Sequence, residues 1–291
     1  MIARPEGTEF DAAELAWLAR ILAALRDWRG VDFDGYRTST VLRRVRNRMI
    51  SAGTRSMAEY LDRLVRDPGE ADALLERLTI KVSRFFRDAA SFEALRAALP
   101  PLRAARGDEG GALRVWSAGC GMGEEAYSLA MLLGEQGGDA SRQVVATDVD
   151  PAALAAAARG TYALEALAEV PPALRERWFV IDATAGTCRV VPEVRARVEL
   201  RAHDLAASTA APDGRRFDLV CCRNVLIYFG PRLQLQVERL LLESLVPGGL
   251  LWLGEAEWPL PEIANRLDVV DRKARLFRAR GGAPRWKGAG G

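Results

Sequence analysis

The sequence predicts an α/β fold built on a parallel sheet, with an all-helical domain ahead of it and a small antiparallel β subdomain inserted into it. Three observations carry this prediction. A short apolar run over 113–116 enters three closely spaced glycines and leaves as an amphipathic helix, in Val115-Trp-Ser-Ala-Gly-Cys-Gly-Met-Gly-Glu-Glu125. Strand, tight turn and helix start in that order bring backbone close to a ligand in open α/β sheets. A second apolar run, Gln143-Val-Val-Ala-Thr-Asp-Val-Asp150, ends in acid and is followed by Pro151 and an alanine-rich helix. A third, Phe217-Asp-Leu-Val-Cys-Cys-Arg-Asn224, is as apolar as a strand covered on both faces and runs into polar groups at its carboxyl end.

The remaining elements follow in order. Residues 10 to about 99 read as helical: Leu15, Leu18, Ile21, Leu22 and Leu25 recur at helical spacing, as do Val41, Leu42, Val45 and Met49. Ser56 and Glu59 have the spacing of a capping box, and Gly53 and Pro68-Gly69 punctuate the helices. A helix over 70–80 leads to Lys81-Val-Ser-Arg-Phe-Phe-Arg87, and another over 89–99 should end at Pro100-Pro101, before a polar linker over 103–111. The alternation of strand and helix then runs to about residue 280. It is interrupted by the β insert, about 163–200, read from Trp178-Phe-Val-Ile, Cys188-Arg-Val-Val and Val198-Glu-Leu. A helix over 231–245, a buried strand Leu250-Leu-Trp-Leu-Gly254 and a closing hairpin from Asp268 to Arg278 complete the domain. The predicted organisation is therefore a helical domain 1–99, a ligand-binding domain 100–280 and a disordered glycine-rich tail 281–291.

Composition bounds the function. Hydrophobic content of 49% and charged content of 27% are those of a soluble globular protein. No uncharged apolar run reaches the ~18 residues of a membrane span, and the first residues lack the apolar core of a signal peptide. The four cysteines, Cys120, Cys188, Cys221 and Cys222, lack metal spacing, and the chain has one histidine, His203. Zinc chemistry and histidine acid–base catalysis are hard to build from this set, and a reduced, cytoplasmic protein is expected. Net charge is only +2, yet Arg37, Arg43, Arg44, Arg46 and Arg48 fall within twelve residues, a block able to dock an acidic partner or to form a solvated helix face.

The glycine cluster identifies the ligand chemistry. A pyrophosphate wants bare N–H groups at a helix start, and Glu124 and Glu125 would repel it. They suit a cation rich in hydroxyls, and S-adenosylmethionine carries a sulfonium, an ammonium and a ribose. Asp148 lies 25 residues after Gly123, where a carboxylate meets ribose hydroxyls in such sheets.

With these residues in place, the chain resembles the CheR-type chemotaxis-receptor glutamate O-methyltransferases over roughly residues 10 to 280. The resemblance rests on Phe85-Phe-Arg87, Ser117-Ala-Gly-Cys-Gly-Met-Gly-Glu-Glu-Ala-Tyr-Ser128, Ala146-Thr-Asp-Val-Asp150, Gly160-Thr-Tyr162, Cys222-Arg-Asn-Val-Leu-Ile-Tyr-Phe229 and Pro247-Gly-Gly-Leu-Leu-Trp-Leu-Gly254. It implies a Rossmann-like S-adenosylmethionine-dependent methyltransferase domain, with S-adenosylhomocysteine as product. It also implies cofactor contacts at Lys81, Ser83, Arg87, Glu125, Asp148, Asp204, Leu205, Arg223 and Asn224, and a tyrosine hydroxyl near the transferred methyl at Tyr228. Tyr228 and Arg87 are the candidate catalytic residues, and no metal is implied. Lys81, Ser83 and Asp204 replace the family's Asn, Thr and Asn, and Gly254-Glu-Ala-Glu257 replaces Gly-His-Ser-Glu. The arginine block corresponds to the segment that faces the receptor's acidic methylation region, and a monomer acting on a chemoreceptor coiled coil, without nucleic acid, is expected.

The residues leave alternatives open. Tyr228 could be a core aromatic, Arg87 a surface ion-pair partner, and Asp148 a helix cap, though Asp150 fits that role better. A non-catalytic S-adenosylmethionine-binding signalling protein, a methyltransferase with another acceptor, and a dinucleotide oxidoreductase are the competing functions.

Overall fold

The computed structural model describes residues 10–79, 83–105, 112–135 and 143–281. Lys81 and the expected tail beyond Gly281 lie outside the described residues. The chain divides into two compact units, 1–80 and 81–291.

The first unit holds four helices among the described residues: α1 (Ala12–Arg29), α2 (Thr38–Ala52), α3 (Met57–Arg66) and α4 (Pro68–Leu78). Local chemistry sets their ends. Asp11 caps α1 by accepting from the Ala13 amide at 3.1 Å, and Gly30 ends it with φ +70°. Ser56 accepts from the Glu59 amide at 3.2 Å, and Glu59 returns a bond to the amide of Arg55, one residue earlier than a strict capping box. Pro68 opens α4 at N1 with Asp67 as cap. Ile21, Leu25, Val45, Tyr60, Leu64 and Leu74 form the core.

The arginine block does not form one solvated face. Arg37, Arg43 and Arg46 are exposed, but Arg44 is buried and donates to the Leu78 carbonyl, and Arg48 makes a bidentate pair with buried Glu70, at 2.7 Å in both bonds. The reason is helical periodicity: 41, 44, 45 and 48 share one stripe, so Arg44 and Arg48 project with Val41 and Val45 toward the unit's interior.

The second unit begins with α5 (Ala89–Ala104). The boundary expected at residue 99 thus falls at 80, because Phe92, Leu95, Leu99 and Leu102 are buried in one core with Val115, Cys221 and Trp252. The helix also continues through Pro100 and Pro101 rather than ending before them. Two N–H donors are lost there, while buried Leu102 holds the last turn in place.

There follow β1 (Val115–Ala118), α6 (Glu124–Glu135), β2 (Val144–Asp148), α7 (Pro151–Arg159), β3 (Thr161–Ala163), α8 (Pro172–Trp178), β4 (Phe179–Asp182), β5 (Thr187–Val190), α9 (Pro192–Ala196), β6 (Val198–Ala202), β7 (Phe217–Cys222), α10 (Pro231–Glu243), β8 (Leu245–Leu253), α11 (Pro261–Ala264), β9 (Leu267–Asp271) and β10 (Leu276–Ala279). The main sheet has the order β6-β2-β1-β7-β8-β10-β9, parallel from β6 to β8 and antiparallel at β10 and β9. From β1 the chain builds outward through β2 to β6 and then returns to β7 on the other side. The carboxyl ends of β1 and β7 therefore flank a crevice where the strand order reverses.

The antiparallel insert is real, but its third strand is not the one expected. β3, β5 and β4 form it in that order, with Cys188 of the central strand opposite Tyr162 on one side and Ile181 on the other. The run Val198-Glu-Leu instead starts β6, paired parallel to β2. Gly160, at φ +61°, turns the chain out of α7 straight into β3, and its carbonyl accepts from the Val190 amide at 2.9 Å. Phe85 packs edge-on against Tyr162 and Phe179, with ring centroids 4.9 and 4.8 Å away, and Phe86 packs on Phe92, so the two phenylalanines anchor the 83–87 segment.

Candidate functional site

The site forms where the carboxyl ends of β1, β2 and β7 meet the first turn of α6. The backbone crosses from β1 to α6 through Gly119, Gly121 and Gly123, at φ +76°, +56° and +96°. At the two outer positions any side chain is excluded. A Cβ on Gly119 would sit 2.6 Å from Val225 Cγ2, and one on Gly123 would sit 2.9 Å from Ala157 Cβ. Nothing lies within 4 Å of a Cβ position on Gly121. The loop is thus packed at its ends and open in the middle.

Asp148, at the end of β2, reaches that open middle. One of its oxygens accepts from the Gly121 amide at 2.8 Å and the other from the Asp150 amide at 2.9 Å. Burial pushes its carboxyl up from the usual range, and these N–H donors oppose the shift. The helix-cap alternative falls to Asp150, which accepts from Ala152 and Ala153 at the start of α7. The Asp148 carbonyl accepts from the His203 amide at 3.1 Å, so the 203–205 segment runs on from β6 beside the end of β2. There Asp204 caps a turn through Ala206 at 2.8 Å, and Leu205 is buried.

Glu125 opens the second cluster. Its Oε1 accepts from the Ser117 hydroxyl at 2.8 Å, and its Oε2 lies 3.5 Å from Arg223 Nη1. Arg223, buried at the end of β7, also donates to the Arg87 carbonyl at 3.2 Å and lies 3.7 Å from Asp88 Oδ2. Its guanidinium stands 4.1 Å from the centre of the Trp252 ring. The structure therefore joins Arg87, Glu125 and Arg223, but the Arg87 contact to Arg223 is made by backbone. Phe86 and Asp88, flanking Arg87, hold left-handed backbone at φ +53° and +65°. The Phe86 amide donates to the Ser128 hydroxyl at 2.9 Å, which ties the segment to α6. Ser83 is half-buried.

Asn224 continues from Arg223 at φ +62°, and Tyr228 closes a single 3₁₀ turn, half-buried, with its amide bonded to the Val225 carbonyl. Sequence reasoning missed the groups that hold these residues. Ser117 and Ser128 lie inside the glycine-rich motif, and their hydroxyls were legible as hydrogen-bonding groups. Asp88 carried no signal beyond being an acid near the motifs, and Glu257 stood in the segment matching Gly-His-Ser-Glu, whose glutamate it keeps, with nothing to say what it would hold.

The electrostatics favour a cation. Glu124 is 2% exposed and one of its carboxylate oxygens has no hydrogen-bond partner among the described residues. Burial pushes its carboxyl up to about 7. Asp88, Glu124, Glu125 and Asp148 surround the loop and crevice with Arg223 among them. The thiols of Cys120 and Cys221 are pushed well up, chiefly by burial, so neither supplies a thiolate. His203 is pushed down by burial and its ring stands edge-on to Trp116 at 5.5 Å. Among the described residues no cluster of His, Cys, Asp and Glu is arranged to hold a metal ion, and no helix is long and apolar enough to cross a membrane.

An open glycine loop, an acid tied to its backbone and uncompensated carboxylate fit a hydroxyl-bearing sulfonium ligand. Comparison with known proteins agrees. Residues 81–275 match the CheR methyltransferase SAM-binding domain, and residues 16–79 match the all-alpha domain of the same family. A chemotaxis protein methyltransferase of Listeria monocytogenes is 34% identical over 78% of this chain and 84% of its own length. A probable chemotaxis protein methyltransferase of Rhizobium etli is 32% identical over 87% of this chain and 96% of its own. An uncharacterized 104.1 kDa protein of Rhodobacter capsulatus is 36% identical over 93% of this chain, which spans only 28% of that protein. With both domains of the family in sequence order, and the cofactor crevice formed at the switch point of the second, the chain belongs to the CheR methyltransferases, S-adenosylmethionine-dependent enzymes.

Proposed function

We propose that the protein methylates glutamate side chains on the cytoplasmic coiled coil of a chemoreceptor, leaving S-adenosylhomocysteine. The observation that carries this reading is the crevice itself: Asp148 and Glu125 flank an open glycine loop, and no histidine or thiolate stands ready as a base. S-adenosylmethionine supplies an electrophilic methyl group on its sulfonium. A glutamate (pKa about 4.3) is already the nucleophile at neutral pH, so no base is required. One carboxylate oxygen forms the bond to the methyl carbon as the carbon–sulfur bond breaks, and no proton moves.

The chain's own task is then binding and alignment. Asp148 takes the ribose hydroxyls. Glu125, Arg223 and Asn224 line the methionine end, with Ser83 and Arg87 from the segment before α5, and Asp204 and Leu205 flank the adenosine. Tyr228 offers its hydroxyl to the incoming carboxylate. Arg37, Arg43 and Arg46, the exposed members of the arginine block, meet the acidic receptor surface. Arg44 and Arg48 serve the fold.

The test is transfer of label from methyl-labelled cofactor to receptor cytoplasmic fragments. The label should be lost in mild base, as a carboxyl methyl ester is. A base-stable label would assign the enzyme to a different acceptor group, and cofactor binding without transfer to any protein would favour a sensor.

A further inference from the structure

We propose that Glu257 is a positioning residue for methyl transfer: its buried carboxylate fixes the backbone of the turn from Asn224 to Tyr228. The inference rests on the assignment of Asn224 to the cofactor and Tyr228 to the acceptor. Glu257 is buried and, among the described residues, pairs with no cation. Its Oε2 accepts from the amides of Gly254 at 2.7 Å and Asn224 at 2.9 Å, and its Oε1 from the amide of Ile227 at 3.4 Å. The Leu226 amide also lowers the carboxyl's pKa, so three of the four backbone donors belong to the turn that carries the site residues. Burial pushes the carboxyl up and these backbone bonds oppose it.

The packing around this carboxylate admits no slack. A Cβ on Gly254 would lie 2.7 Å from the Asn224 nitrogen and 2.8 Å from Glu257 Oε2. On the other side of the turn, Val225 presses on Gly119 of the cofactor loop. The 254–260 segment that carries Glu257 is itself anchored. Arg272 and Arg275 lie over the Trp258 ring, at 5.0 and 4.9 Å, Trp258 meets Phe277 edge-on, and the Leu260 amide donates to buried Glu238 at 2.8 Å. A charge held in the interior only to receive amides is an unfavourable way to fill space. It is a direct way to hold left-handed Asn224 and the turn after it in one register.

Glu257→Gln separates the two halves of the clamp. Its amide oxygen can keep the two short bonds, from Asn224 and Gly254, while its NH₂ then confronts the Ile227 amide donor to donor. In the full-length protein without cofactor, hydrogen exchange at Ile227 should accelerate while Asn224 stays protected. Affinity for S-adenosylmethionine by calorimetry should change less than about threefold, and kcat toward a receptor fragment at saturating cofactor should fall about tenfold to a hundredfold. Glu257→Ala should expose both amides and lose affinity and turnover together. Wild-type kcat in Glu257→Gln, or parallel losses of affinity, turnover and melting temperature in that variant, would overturn the proposal. If the wild-type protein labels no receptor fragment, the acceptor assignment fails on its own. The exchange pattern and cofactor affinity still decide whether Glu257 holds the turn.

Discussion

Replacing Arg48 with alanine should destabilise the protein far more than replacing Arg43 on the same helix, though both belong to one run of arginines. The Glu70 side chain is 1% exposed and receives two N–H bonds of 2.7 Å from Arg48 and one of 2.9 Å from the Tyr60 hydroxyl. Removing one partner of a buried ion pair costs about 3–5 kcal/mol. Arg48 keeps 23% of its side chain in solvent, and Tyr60 and Arg63 (3.3 Å from Glu70) remain in the variant. The lower end of the range applies, about 3 kcal/mol, or a melting temperature lower by on the order of 10 °C. Arg43→Ala should stay within about 0.5 kcal/mol. The pH dependence gives a second reading. Burial works to raise the Glu70 carboxyl, but hydrogen bonds from Arg48 and Tyr60 and the charges of Arg48 and Arg63 outweigh it and hold it below its ordinary value. A carboxyl lowered in the folded state contributes stability that is complete above the unfolded value of about 4.3 and lost as pH falls through the folded one. Thermal melts across pH 3–7 should show the wild type losing its advantage over Arg48→Ala at the acid end. Equal melting of Arg48→Ala and wild type at pH 7 would refute the reasoning. The docking test must therefore reverse Arg37 and Arg43, because Arg46 already pairs with Glu14 of α1 and its reversal would set two acids together. Receptor methylation should then fall and lose its sensitivity to salt.

Asp148→Ala should weaken S-adenosylmethionine binding by roughly 1–3 kcal/mol, and calorimetry showing unchanged affinity in a folded variant would remove Asp148 from the site. Tyr228→Phe should lower kcat while sparing cofactor affinity, because a bond used in the transition state appears in the rate; equal losses would make Tyr228 pocket wall. Glu124 carries a carboxyl raised to about 7 by burial, so the folded state prefers its proton and wild-type stability falls as pH climbs from about 4.3 to about 7. Relative to wild type, Glu124→Gln should therefore gain on the order of 3 kcal/mol between pH 4 and pH 8, and parallel stability curves would show that the carboxyl is not raised.

The sequence alone determined the elements whose signals are local. Strand-turn-helix punctuation at Gly119 to Gly123, the acid ending β2 and the apolar run of β7 each lie within about ten residues, and their order defined the crevice. Ser56, Asp150 and the glycine caps acted as their side chains and backbones dictate at any helix end. Tertiary structure decided whatever depended on a distant partner. Val198-Glu-Leu reads as a strand in either sheet, and only pairing with β2 places it in the large one. Arg44 and Arg48 read as surface charges until the Leu78 carbonyl and Glu70, 34 and 22 residues away, satisfy them inside. The helix at 89–104 follows the helical domain in sequence, yet its apolar face has its complement in the sheet of the second unit. Glu257 shows the limit most clearly. Beyond Gly254, its donors lie 33 and 30 residues back along the chain, on backbone amides that every residue but proline possesses, so no side-chain pattern could announce them.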